Sequence, residues 1–177
     1  MRLFAAICLP PEIKKRLFSL SKKITRGLDV KLVEEENLHL TLLFLGNIAK
    51  EDLGKVKKAI SAAKTGNINL TLSTAVPFPN KKNPRMVWVL LEGQTRKLFS
   101  LYKQIVDNLL KEGIYFKDER LEFRPHVSLA RLRSGGIRSM EDIIINEEFT
   151  ARKFSLFESK LTPKGPKYLK LADFELK

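Results

Sequence analysis

The chain has 177 residues, 44% of them hydrophobic and 30% charged, enough apolar material for a real core and the wrong balance for a disordered chain. Its 33 Lys and Arg against 20 Asp and Glu give a formal charge of +13, which favours encounter with polyanions such as RNA or DNA, or with an anionic membrane surface. The single cysteine excludes an intrachain disulfide and any C-x-x-C metal or redox motif, and no window approaches the roughly 18 apolar residues of a membrane span.

Residues 2–9 read as a buried strand holding Cys8, and Pro11 suits the first turn of a helix running to about Arg26, with Ile13, Leu17, Leu20 and Ile24 as its apolar stripe. The opening run is too short for a signal peptide and lacks a clear cleavage site, so a reducing cytoplasm is the expected setting. Leu38–Leu45 is a strand ended by Gly46-Asn47, and Glu51–Ala63 a helix with Leu53, Val56 and Ile60 inward. A strand over Ile68–Ala75, a basic loop over Pro77–Arg85 and a strand over Met86–Leu91 follow, the last with Trp88 expected in the core. Thr95–Glu112 is a helix stopped by Gly113. Glu122–Leu132 is a strand closed by a Gly135-Gly136 turn, and Met140–Ile145 is read as a short helix. Phe149–Leu161 and Tyr168–Leu176 are two strands joined by a Pro/Gly turn over residues 162–167.

The two histidines of the chain lie in the same setting, His39-Leu40-Thr41-Leu42 and His126-Val127-Ser128-Leu129. Side chains alternate along a strand, so each histidine shares a face with a hydroxyl while apolar residues point the other way. A pair of imidazoles suits a reaction needing one base and one acid, since near neutral pH one can be neutral and the other protonated. A lone histidine beside leucines is an ordinary hydrogen-bonded strand residue. Its recurrence with Thr or Ser two positions on and Leu three positions on argues for a shared function.

The order strand, helix, histidine strand, helix, hairpin occurs twice. This predicts an α+β protein of one domain over residues 1–177, built as two pseudo-symmetric lobes. Each lobe is an antiparallel sheet with helices on its outer face, and the active-site groove lies between them, lined by His39 and Thr41 from one side and His126 and Ser128 from the other. A monomer is expected. A metallohydrolase is disfavoured because two histidines have no third ligand set at recognisable spacing, and the surroundings of Ser128 do not form a nucleophile elbow. A noncatalytic RNA-binding module would share the charge without needing matched histidines.

Several segments resemble the two-histidine phosphoesterase superfamily, most closely its RNA 2′,3′-cyclic phosphodiesterase or 2′-5′ RNA ligase branch. They are Met1–Ala6, Glu36–Leu42 with Phe44-Leu45-Gly46, Phe123–Arg131, and Leu161–Tyr168. The resemblance implies opening of a terminal 2′,3′-cyclic phosphate on RNA to a 2′-phosphate, with neither metal nor cofactor. It also implies ATP-independent formation of 2′-5′ linkages as the reverse type of reaction, and relatives act on other cyclic or 2′-5′-linked nucleotides. By resemblance His39 is the acid at the ribose 3′-oxygen and His126 the base for water, Thr41 and Ser128 bind the non-bridging oxygens, and Arg131 holds the phosphate. Arg131 lies an odd number of residues from His126, so an unbroken strand would turn it away from the groove, and only a bulge or the strand's end brings it back. Arg124 has the correct parity but precedes Pro125 and is read as a structural or surface residue, with a place in the groove as the alternative. The Lys81–Arg85 loop and Arg131, Arg133 and Arg138 are candidate contacts for an RNA backbone.

Overall fold

The computed structural model describes residues 1–116, 123–133, 141–163 and 165–177. The first strand, β1 (Arg2–Cys8), leads through Pro10 into α1 (Pro11–Ile24), whose proline at the first position gives up no needed hydrogen bond. A short strand β2 (Val30–Leu32), absent from the sequence reading, precedes β3 (His39–Asn47). Then come α2 (Leu53–Ser61), β4 (Ile68–Phe78), β5 (Met86–Gly93) and α3 (Thr95–Lys111). Gly113 at φ 73° closes α3, with Ile114 N–H donating to Leu109 O and Gly113 N–H to Leu110 O, the double bond of a Schellman ending. The chain continues through β6 (His126–Leu132), β7 (Ile143–Ala151), β8 (Lys153–Thr162) and β9 (Gly165–Glu175).

The strands form one antiparallel sheet in the order β7-β4-β5-β6-β3-β1-β8-β9, with β2 paired to β6. It divides into the two expected lobes. β3 and β6 sit at the centre, β1 and β5 flank them, β8 and β4 come next, and β9 and β7 lie at the edges. The unit β1-α1-β3 thus mirrors β5-α3-β6, and β4 and β8 each cross over to complete the other unit's half. The halves meet at the pair Leu40↔Val127, and β2 stitches the same edge of β6 through Val30↔Leu132 and Leu32↔Ala130.

One face of the sheet is the core. Leu40, Leu42, Leu43, Leu45, Val127, Leu129 and Ala130 are buried there with Ile13 and Leu17 of α1, Val56 and Ile60 of α2, and Leu98, Leu101 and Ile105 of α3. The inner face of α1 runs through Ser21, whose Oγ donates to Phe18 O, rather than through Leu20.

Two expectations are corrected. Ile143–Ile145 belongs to β7 and not to a helix: its intermediate and exposed residues alternate, a strand period that competes with the weak helical pattern. Phe149–Leu161 is not one strand, because Phe149–Ala151 ends β7 and β8 begins at Lys153, which pairs with a different neighbour. The expected Gly135-Gly136 turn, and the start of the strand at Glu122, lie outside the described residues. Among the described residues no helix is long and apolar enough to cross a membrane.

Candidate active site

The two histidine strands share more than their motifs. Along β3, Ala6 pairs with Thr41 and Ala5 with Leu43, so Leu42 is an extra residue; along β6, Trp88 pairs with Ser128 and Val87 with Ala130, so Leu129 is extra. Each bulge resets the alternation. Both strands therefore run half-buried, buried, half-buried, buried, buried, exposed from the histidine onwards. The residue five places on returns to the histidine's face: Phe44 on β3 and Arg131 on β6. The parity objection to Arg131 is removed by the bulge at Leu129, and the register partner Met86 shares its face.

Reading the antiparallel register outwards from Leu40↔Val127 sets His39 opposite Ser128 and Thr41 opposite His126. Each imidazole is thus across the seam from the other motif's hydroxyl. Both rings take one posture. The Nδ1–H of His39 donates to Asn37 O at 2.6 Å, and that of His126 to Arg124 O at 2.7 Å, which fixes the tautomer and makes Nε2 the basic nitrogen of each ring. Thr41 Oγ1 lies 2.9 Å from His39 Nε2 and donates to it when the ring is neutral.

Their surroundings differ. His39 rests among rings: Phe4 at 5.1 Å between centroids and Tyr168 edge-on at 5.4 Å. Burial pushes its pKa down to about 4, against the hydrogen bond to Asn37, and the charges of Lys14 and His126 push the same way. At neutral pH the ring is uncharged. Lys14 stands close by on α1, its Nζ donating to Glu36 O at 2.7 Å and its own pKa lowered by burial.

His126 lies flat on Trp88, ring centroids 3.6 Å apart at 12°, and Phe78 stacks on the indole's other face at 3.4 Å. Trp88 is therefore a groove residue and not the core residue expected. Its register partner is Ser128, and strand pairing, which sequence alone does not give, decides its face. Its Nε1 is buried without a hydrogen-bond partner among the described residues.

Tyr168 is the other ring that residue patterning did not single out by itself. It sits on β9 after the turn, and the β8–β9 hairpin bends over the groove face to bring it to His39. Asn37 Nδ2 donates to Pro166 O at 3.2 Å, and Gly165 approaches the Lys31 side chain on β2. In the basic loop Lys81 pairs with Asp142 at 3.1 Å, and Asn80 Oδ1 accepts from Lys82 N and Asn83 N. Arg124 and Arg133 are described, whereas Arg138 lies outside the described residues. Among the described residues no group of three or more His, Cys, Asp or Glu is gathered where it could hold a metal ion.

The chain is similar to known proteins in sequence and in fold. Residues 7–88 match the family described as LigT like Phosphoesterase. A protein of Archaeoglobus fulgidus named RNA 2′,3′-cyclic phosphodiesterase is 32% identical over 99% of this chain and 100% of its own length. A protein of the same name from Methanocaldococcus jannaschii is 32% identical over 95% of this chain and 96% of its own. Among solved structures, one from Thermus thermophilus superposes with a TM-score of 0.84 at 30% identity, covering 99% of this chain and 98% of that one. E. coli LigT complexed with 3′-AMP superposes at 0.83 with 26% identity, covering 99% and 97%.

Proposed function

The chain belongs to the LigT-like phosphoesterase family, and from that premise we propose that it opens the terminal 2′,3′-cyclic phosphate of RNA to a 2′-phosphate, with His39 and His126 as its acid/base pair. The observation that carries this reading is the reciprocal placement of the two motifs across the Leu40↔Val127 pair, each imidazole tied down at Nδ1 with Nε2 as its basic nitrogen. A phosphate between them has a nitrogen base on one side, a nitrogen acid on the other and a hydroxyl beside each. That is what an in-line displacement at phosphorus requires.

In the proposed step His126 Nε2 takes a proton from water as its oxygen attacks phosphorus. The P–O3′ bond breaks, and the departing 3′-oxygen receives the proton carried by His39 Nε2, leaving a 3′-hydroxyl and a 2′-phosphate. His39 is neutral by itself, so it acquires its proton with the substrate: the phosphate's negative charge beside Nε2 favours the imidazolium. An imidazolium that burial disfavours is a strong acid, which suits protonation of an alkoxide. Thr41 and Ser128 donate to the non-bridging oxygens, and Arg131 on the same face supplies a fixed cation that donates in a fork. With an RNA 5′-hydroxyl in place of water, the same displacement joins the two strands in a 2′-5′ linkage.

RNA as the substrate is supported by the names of the relatives and by the formal charge of +13. The test is incubation with a short RNA ending in a 2′,3′-cyclic phosphate, in EDTA, followed by identification of the terminal phosphate. A 2′-phosphate product is expected. A 3′-phosphate, or activity abolished by EDTA and restored by a divalent metal, would contradict the reading.

A further inference from the structure

A cavity of about 530 Å³, within the roughly 300–1,000 Å³ of ligand sites, opens at the far end of β3 from His39 and is lined by Arg2, Gly46, Asn47, Ser159 and Leu161. It includes neither histidine. Gly46 and Asn47 lie on the order of 20 Å along the strand from His39, at about 3.3 Å per residue, too far for one nucleotide to occupy both places.

The cavity is formed by the same strands, β1, β3 and β8, that carry the rings beside His39. Arg2 pairs with Asn47 and Phe4 with Phe44, while Phe4 also pairs with Phe157, two residues before Ser159. The rings link the two ends: His39 to Tyr168 at 5.4 Å, Tyr168 to Phe4 at 4.8 Å, and Phe4 to Phe44 at 6.0 Å and to Phe157 at 5.2 Å. Tyr168 is also the register partner of Ser159, and Phe44 is 44% exposed. Burial raises the pKa of the Tyr168 phenol and the nearby Arg2 charge opposes it. An exposed cation, an amide and a hydroxyl, with the exposed Phe44 ring between them and His39, match the chemistry of a single-stranded nucleic acid, with a phosphate on the cation and a base on the exposed ring.

We propose, building on the activity proposed above, that this cavity is a subsite for the RNA strand upstream of the reacting terminus, with Arg2 on a backbone phosphate and Asn47 and Ser159 on the sugar or base of the same nucleotide. The enzyme then prefers oligonucleotides to cyclic mononucleotides, and the preference resides in lobe residues remote from the chemistry.

The test compares kcat/KM on 2′,3′-cyclic AMP and on tetra-adenylate ending in a 2′,3′-cyclic phosphate, for wild type, Arg2→Ala and Arg2→Glu, with anisotropy of 5′-fluorescein tetra-adenylate read alongside. Arg2→Ala is expected to cost roughly tenfold on the tetranucleotide, the worth of one charge-assisted contact. It should leave the mononucleotide unchanged, which also shows that the variant folds. The salt dependence of tetranucleotide binding should flatten by about 0.7 in log–log slope, and Arg2→Glu should lose more. Equal wild-type kcat/KM on both substrates, a loss shared equally by both, or unaltered tetranucleotide binding would overturn the subsite. Failure of wild type to open either substrate would instead strike the activity reading, with the anisotropy still deciding the subsite.

Discussion

His39 and His126 show how one posture yields two different groups. Each donates Nδ1–H to the carbonyl two residues before it, yet His39 is packed among Phe4 and Tyr168 while His126 lies against Trp88. Burial disfavours a cationic ring, so His39 is held at about 4 rather than the ordinary 6.5. The sign of the linkage follows. Between those values the unfolded chain binds a proton that the folded one does not, so stability falls as pH drops from 6.5 towards 4, by up to about 3 kcal/mol. Only two histidines contribute to the imidazole region of an NMR spectrum, which makes the prediction direct. One resonance should titrate near pH 4, vanish in His39→Gln, and shift its midpoint upwards when inorganic phosphate is added. A midpoint near 6.5 for both rings would contradict the burial argument.

At the scale of elements, the bulges at Leu42 and Leu129 build the site. The alternation of the two motifs was legible in the sequence, because period-2 patterning is local. The bulges were not, because an extra residue is visible only against the partner strand: Ala5 and Ala6 for β3, Val87 and Trp88 for β6. The same limit explains Trp88, whose face depends on β5 pairing with β6, and Ile143–Ile145, whose strand conformation depends on Ala75 and Thr74 of β4. With the bulge in place Arg131 shares the face of His126. Arg131→Gln, which keeps hydrogen-bonding capacity but removes the charge, is expected to lower kcat/KM by roughly 10- to 100-fold, the range of a charge-assisted contact. Arg131→Lys should recover part of it. An Arg131→Gln variant as active as wild type would mean that the guanidinium does not meet the phosphate.

At the scale of the whole molecule, the sheet is a doubled unit whose halves exchange strands. β4 leaves the first unit to serve the second lobe, and β8 with β9 returns to the first, so the two histidine strands can lie side by side at the centre of one sheet. The repeated order strand, helix, histidine strand made this pseudo-symmetry readable in the sequence, although the helix expected after the second histidine strand is in part the start of β7. What it left unread was β2 at the seam and the bending of the β8–β9 hairpin over the groove, both products of long-range contacts such as Asn37 to Pro166. Under the proposed function the arrangement has a consequence: each lobe supplies one member of the acid/base pair, so the two act as a unit. The measurement that tests this most directly is kcat/KM on a 2′,3′-cyclic phosphate RNA for His39→Ala, His126→Ala and the double variant. Each single substitution is predicted to cost about 10²- to 10⁴-fold, and the double variant to lose little more than the worse single. A single variant retaining near wild-type activity, or losses that multiply in full, would contradict the account.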